Sequence, residues 1–236
     1  MTALPDPRPS PDKQAALVRQ MFDRVAPRYD LANSVLSLGQ DRHWRRVTVA
    51  AVAPRPGEIL LDAAAGTGPL AAGLASAGAT TIALDFSPNM VRTGAARDTQ
   101  RRLLWCTGDA TRLPLADASV DAVTIAFGLR NLPDTAGGLA ELARVTRPGG
   151  RLAVLEFSRP TWRPFAFVYT RYLTRALPQM ARLVTSDPAA YRYLADSIRA
   201  WPDAEGLARQ ISGAGWEAVR YKRLSGGIVA LHHARR

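Results

Sequence analysis

Between Ile59 and Asp85 the chain reads ILLDAAAGTGPLAAGLASAGATTIALD, and no other stretch limits its possible folds so sharply. Ile59–Ala63 is a compact apolar run with the length of a buried parallel strand. Gly66-Thr67-Gly68 forms a tight turn, Pro69 stands where a helix opens, and Thr80–Leu84 is a second apolar run that ends in an acid, Asp85. Strand, glycine turn, helix and strand make a βαβ unit. Glycines after the first strand let a ligand approach the backbone, and an acid about twenty residues later can accept hydrogen bonds from a ribose diol. Asp85 follows Gly66 by 19 residues. A lone Gly-x-Gly also fits a βαβ unit that binds nothing, so the remaining strands must decide. Ala63–Leu84 holds 22 residues without a charge, yet four glycines and Pro69 would break any helix spanning a bilayer, which makes this soluble core.

The alternation continues. Ser87 is placed to cap a helix with Pro88 at its first position. Leu103–Thr107 reads as a third strand running into Gly108-Asp109-Ala110, and Val120–Phe127 as a fourth that exits through Gly128-Leu129-Arg130-Asn131. A helix over Thr135–Arg147 stops at Pro148-Gly149-Gly150, and Arg151–Phe157 is a fifth strand. Repeated βα units predict a doubly wound parallel sheet with polar groups gathered at the carboxyl ends of its strands. Asp203–Ser212 is a last helix. Trp216–Tyr221 and Ile228–His232 are strands joined across Leu224-Ser225-Gly226-Gly227, so an antiparallel hairpin closes the sheet.

Two segments lie outside this rhythm. Gln14–Arg24 has apolar residues at helical spacing, followed by a stretch mixing Tyr29 and Trp44 with turn formers and the cluster Asp41-Arg42-His43-Trp44-Arg45-Arg46. It reads as a cap over the site or as a helical pair with a solvated charged face. The second is Ser158–Pro202, where no acid occurs from Phe157 to Ser186 while arginines alternate with Trp162, Phe165, Phe167, Tyr169 and Tyr172. Such a pattern suits an anionic membrane surface, and equally an insertion helix packed on the domain.

The division expected is a disordered lead-in over 1–13 and one domain over 14–236, with a helical cap (14–53) and a helical insert (158–202). A formal charge of +11 with only Lys13 and Lys222 as lysines fits a nucleic acid, a membrane surface or an arginine-rich genome. The single Cys106 excludes an internal disulfide framework and points to a reducing cytosol. His232 and His233 are neighbours on a strand, face opposite sides and cannot chelate together, so no metal is expected.

With Asp62 opening the first motif, Gly66-Thr67-Gly68, Asp85 and a terminal hairpin, the chain resembles class I S-adenosylmethionine-dependent methyltransferases, a Rossmann-like fold with a seven-stranded, mostly parallel sheet. Five stretches carry a narrower likeness: Phe22–Asp30, Phe127–Asn131, Glu156–Pro160, Tyr191–Ile198 and Gly226–Ala230. They resemble the ubiquinone/menaquinone biosynthesis C-methyltransferase family, in its bacterial demethylmenaquinone branch, from about Met21 onward. That resemblance implies cofactor contacts at Asp62, Gly66, Thr67, Gly68, Asp85, Phe86, Asp109 and Ala110. It also implies one at Ala126, where serine is usual and only a backbone contact survives.

The implied reaction C-methylates a reduced, prenylated naphthoquinol, demethylmenaquinol to menaquinol, at a carbon made nucleophilic by a neighbouring aryloxide. Arg130 is the first candidate to stabilise that anion. Tyr29 is a candidate lid or hydroxyl contact, and His43 or Tyr193 a candidate proton relay. Arg130 could instead fix its loop, Tyr29 could be core and His43 surface. Methylation of another phenol or quinol remains an alternative. A nucleic-acid methyltransferase is a weaker one, since no Asp/Asn-Pro-Pro-aromatic run follows strand four. The expected setting is cytoplasmic with peripheral contact to an anionic membrane and no nucleic-acid partner, the oligomeric state being open to a homodimer.

Overall fold

The computed structural model describes residues 19–24, 26, 29–176, 179 and 188–236. The lead-in over 1–13 and the first part of the Gln14–Arg24 helix lie outside them, while residues 19–24 are helical as expected. Seven strands form one sheet: β1 (Ile59–Ala63), β2 (Thr80–Asp85), β3 (Leu103–Thr107), β4 (Val120–Ala126), β5 (Thr146–Phe157), β6 (Glu217–Leu224) and β7 (Val229–Arg235). Their order is β3-β2-β1-β4-β5-β7-β6. The first five are parallel, whereas β7 runs antiparallel to both β5 and β6. This is the mostly parallel sheet with an antiparallel terminal pair that the sequence predicts.

Helices cover both faces. In chain order they are α1 (Tyr29–Leu36), α2 (Gln40–Val52), α3 (Pro69–Ala75), α4 (Pro88–Arg97), α5 (Thr135–Val145), α6 (Arg163–Arg171), α7 (Pro188–Ala200) and α8 (Ala204–Gly213). Because side chains alternate along a strand, each central strand feeds two cores. Leu61, Val123, Leu152 and Val154 pack with Leu139 and Leu142 of α5 and Leu207 and Ile211 of α8. Their neighbours Leu60, Ala122, Ala153 and Leu155 pack with Trp44 and Val52 of α2 and Leu70 and Leu74 of α3. A third cluster stands apart from these: Ala26 and Leu36 before and in α1, Met90 of α4, Leu173, and Ile198 of α7. The N-terminal segment and the insert thus pack on each other above the strand ends.

Several boundaries move from the sequence expectation, each for a local reason. The β5 strand starts at Thr146 and not Arg151, and α5 ends at Val145 and not Arg147. Pro148-Gly149-Gly150 does interrupt pairing, since the register with β4 slips between Val120 and Ala122, but the backbone stays extended and Gly149 N–H donates to the Arg236 carbonyl. At the other end β4 stops at Ala126, because Phe127 takes a positive φ of 57°. The hairpin strands run further than their apolar residues, since β7 is paired on both sides through Arg235. His232 faces inward and His233 outward, as strand alternation requires. Ser87 caps α4, its Oγ accepting from Met90 N–H, with Pro88 in the first turn. Among the described residues no helix is long and apolar enough to cross a membrane.

Candidate active site

The carboxyl ends of β1, β2 and β4 open into one cavity, and seven of the residues singled out in the sequence line it: Asp62, Gly66, Asp85, Phe86, Asp109, Ala110 and Ala126. The glycine turn places the key acid. Gly66 N–H donates to Asp85 Oδ2 at 2.8 Å, and Ser87 N–H donates to Oδ1 at 2.8 Å. Two backbone amides therefore fix the carboxylate plane while each oxygen keeps a lone pair for a ligand hydroxyl. Burial raises the Asp85 carboxyl above its ordinary range in spite of these two donors. Asp109 is exposed, and its Oδ1 accepts from both the amide and the hydroxyl of Thr111.

Asp62 is strongly perturbed. It is only 1% exposed, its Oδ1 accepts from Thr124 Oγ1 at 2.6 Å, and its Oδ2 is buried with no partner. Burial pushes its carboxyl up to about 7, against the pull of the Thr124 hydroxyl, the Arg45 charge and the Ala71 backbone amide. A buried, unpaired carboxylate oxygen in a cavity wall is costly unless a ligand donor completes it.

Two of the expected contacts are not in this wall. Thr67 turns its hydroxyl away and donates to both oxygens of Asp30, at 2.7 and 2.8 Å, so it ties the glycine turn to α1. Gly68 sits beneath it as the residue before α3, with φ +80° and an added Cβ only 2.5 Å from Trp105, so it serves packing and the turn. Asp23 makes a similar tie, accepting from Ser87 Oγ at 2.5 Å and from Asn89 N–H at 3.3 Å.

A second cavity lies alongside, under α1, α2, α6 and α7, and shares Phe22, Arg45 and Phe127 with the first. Trp44, Phe157, Phe165, Tyr172 and Leu173 give it aromatic and aliphatic walls, while Asp41, Arg130 and Tyr193 supply polar groups. Arg130 is anchored from three sides. Its Nη1 bonds Glu156 Oε1 at 3.0 Å and, in a very short contact, donates to the Phe127 carbonyl; its Nε donates to Ser197 Oγ at 3.4 Å; and it lies over the Phe157 ring at 5.1 Å. Nη2 has no hydrogen bond among the described residues. Glu156 is fully buried, and desolvation raises its carboxyl although Arg130 opposes the shift. Tyr193 donates to Asn131 Oδ1 at 3.2 Å, and burial raises its hydroxyl, which keeps it protonated.

His43 does not join either cavity. Asp41, Trp44, Thr48 and Val52 form the buried stripe of α2, and His43, next to Trp44 in sequence, is turned about 100° away and exposed. Tyr29 opens α1, but its side chain lies outside the described residues. Sequence reasoning gave no role to Glu156, although an acid inside the apolar run Leu152–Phe157 is a readable signal of a buried partner. It also passed over Phe22, Phe127 and Arg45, which stood inside stretches noted only as wholes.

A model of the ubiE/COQ5 methyltransferase family matches residues 10–236. The demethylmenaquinone methyltransferase of Mycobacterium sp. (strain KMS) is 60% identical over 223 residues, covering 94% of this chain and 95% of that protein. The protein of the same name from Mycolicibacterium paratuberculosis is 58% identical, with 95% and 96% covered. Among solved structures, a SAM-dependent methyltransferase from Aquifex aeolicus aligns with a TM-score of 0.58 at 17% identity, over 96% of this chain and 98% of that one. One from Thermotoga maritima gives 0.62 at 17% identity, over 92% and 98%. At this identity the structural likeness speaks for the fold alone.

Proposed function

The chain belongs to the ubiE/COQ5 methyltransferase family, and on that premise we propose that it C-methylates reduced demethylmenaquinone, giving the menaquinone skeleton, with S-adenosylmethionine as methyl donor. The observation that carries this reading is the pair of adjacent cavities: one lined by three carboxyl groups, the other aromatic and aliphatic, with Phe22, Arg45 and Phe127 lining both.

The residues of the first cavity suit the donor. It is a cation at sulfur, and the cavity is lined by the carboxyl groups of Asp62, Asp85 and Asp109. Asp85, held by Gly66 and Ser87, is oriented for the ribose hydroxyls, and the unpaired Oδ2 of Asp62 is suited to an ammonium group. Ala64, Ala65 and Ala126 keep the wall shallow. When bound, the donor supplies an electrophilic methyl group.

The second cavity then takes the acceptor. Its aromatic walls suit a fused naphthalene ring, and Asp41, Arg130 and Tyr193 offer partners for ring hydroxyls. Arg130 keeps Nη2 for an aryloxide while Glu156, the Phe127 carbonyl and Ser197 hold its plane rigid, so little reorganisation accompanies charge development. Tyr193 holds its proton and can donate to the second ring oxygen. The Asp30–Thr67 and Asp23–Ser87 ties fasten the N-terminal segment, whose Phe22 lines the first cavity, to the turns after β1 and β2.

The mouth of the second cavity favours a lipid-tailed acceptor. Leu38 (77% exposed) and Val168 (61%) line the cavity and face solvent, and α6, which carries Val168, also exposes Phe167. Exposed Arg163, Arg171 and Arg175 stand on the same insert. Peripheral docking on an anionic membrane would let the prenyl tail stay in lipid while the ring enters the cavity.

The deciding assay supplies labelled S-adenosylmethionine and a short-chain reduced demethylmenaquinone. Labelled menaquinone is the expected product; activity only on RNA or on soluble phenols overturns the assignment.

A further inference from the structure

Among the described residues lining the donor cavity, Arg45 is the only cation. It projects from α2 with its side chain 15% exposed, and its guanidinium is set by a chain of polar contacts. Ser37 Oγ donates to Asp41 Oδ1 at 3.1 Å, and Arg45 Nη1 pairs with Asp41 Oδ2 at 2.5 Å. Nε and Nη2 of Arg45 carry no hydrogen bond among the described residues. Asp62, whose Oδ2 is buried and unpaired, lines the same cavity, near enough for the Arg45 charge to pull its carboxyl down. A fixed cation with unused donors and a buried carboxylate oxygen with an unused lone pair thus border one space, a combination that neither a ribose nor an adenine requires.

Charge logic identifies what completes both groups. An α-amino acid zwitterion presents an ammonium and a carboxylate on one carbon, and it satisfies Asp62 and Arg45 together while cancelling the cost of each. A planar guanidinium tied at one nitrogen keeps a donor pair for a carboxylate, a geometry that lysine lacks. We propose that Arg45 binds the α-carboxylate of the methyl donor's amino-acid end, opposite Asp62 at the ammonium, with Ser37 and Asp41 as the positioning residues that aim it. This rests on the reading that the first cavity holds S-adenosylmethionine. Because the Asp41–Arg45 pair also borders the acceptor cavity, the subsite ties donor binding to the wall that the quinol touches.

The test measures binding by calorimetry, without turnover, for S-adenosylhomocysteine and for methylthioadenosine, which keeps the nucleoside and sulfur but lacks the amino-acid end. Arg45→Gln is expected to weaken S-adenosylhomocysteine by about tenfold or more, the loss of one charge-assisted contact, and to leave methylthioadenosine within about twofold. Arg45→Lys keeps the charge and guards against a folding artefact; it is expected to fall between the two. Unchanged S-adenosylhomocysteine affinity in Arg45→Gln, or an equal loss for both ligands, overturns the proposal. Failure of the unaltered protein to bind either ligand is a different result and overturns the donor reading itself.

Discussion

If Asp62 must be ionised to receive an ammonium group, donor binding is coupled to loss of a proton. The Asp62 carboxyl is held at about 7 in the empty protein because burial outweighs its bond from Thr124. One group titrating there makes the apparent affinity scale with its ionised fraction. S-adenosylhomocysteine should then bind about tenfold more weakly at pH 6 than at pH 8, and about a hundredfold more weakly at pH 5. The same shift has a stability consequence of opposite sense. A carboxyl whose folded value lies above its unfolded one stabilises the empty fold fully below the unfolded value near 3.8, and that contribution is lost as pH rises through about 7. Ionising it above pH 7 costs on the order of 4 kcal/mol. Asp62→Asn should therefore flatten the binding profile, weaken binding at pH 8, and stabilise the empty protein there. Titration calorimetry from pH 5 to 8, in buffers of differing ionisation enthalpy, reads both the affinity and the released proton. A flat profile in the unaltered protein, or a slope that survives in Asp62→Asn, refutes the reasoning.

Two further expectations concern the acceptor side. Glu156→Gln leaves the Arg130 charge buried without its counterion and should cost about 3–5 kcal/mol in urea unfolding, much of it regained in the double variant with Arg130→Met; a loss under about 1 kcal/mol would show that the pair is not desolvated as described. Leu38→Asp with Val168→Asp should abolish sedimentation with anionic vesicles at low salt and raise KM for a long-chain quinol, while leaving S-adenosylhomocysteine binding unchanged; retained sedimentation would remove this rim from the membrane-facing surface.

The sheet was legible because its information is local. Ile59–Ala63 and Leu103–Thr107 are exact, since an apolar run bounded by turn residues leaves few places for a buried strand to begin or end. Ladder ends were not legible, because pairing is set by partners distant in sequence: β7 extends through His233 and Arg235 only because β5 and β6 hold both its edges. In the candidate site, backbone-defined positions such as Gly66 and Asp85 follow from the motif. Side-chain directions do not. Nothing in Gly66-Thr67-Gly68 reveals that Asp30 captures the Thr67 hydroxyl, or that one residue of helical rotation separates His43 from the buried Trp44. Arg45 was hidden for the same reason, as one arginine among several in a cluster that reads as a solvated face.

The place of β7 in the sheet carries a consequence for how the protein is made. It lies between β5 and β6 although it follows both in sequence. While the ribosome is still producing residues 158–228, β5 is therefore an open edge with Leu152, Val154 and Leu155 on its two faces, a template for pairing with another chain. β6 has no neighbour to join until β7 arrives. Phe157 and Ile228, on either side of that late seam, both line the second cavity. The second cavity is thus among the last features to form, and a nascent chain stalled before Val229 carries the first cavity beside an unfinished and adhesive wall of the second.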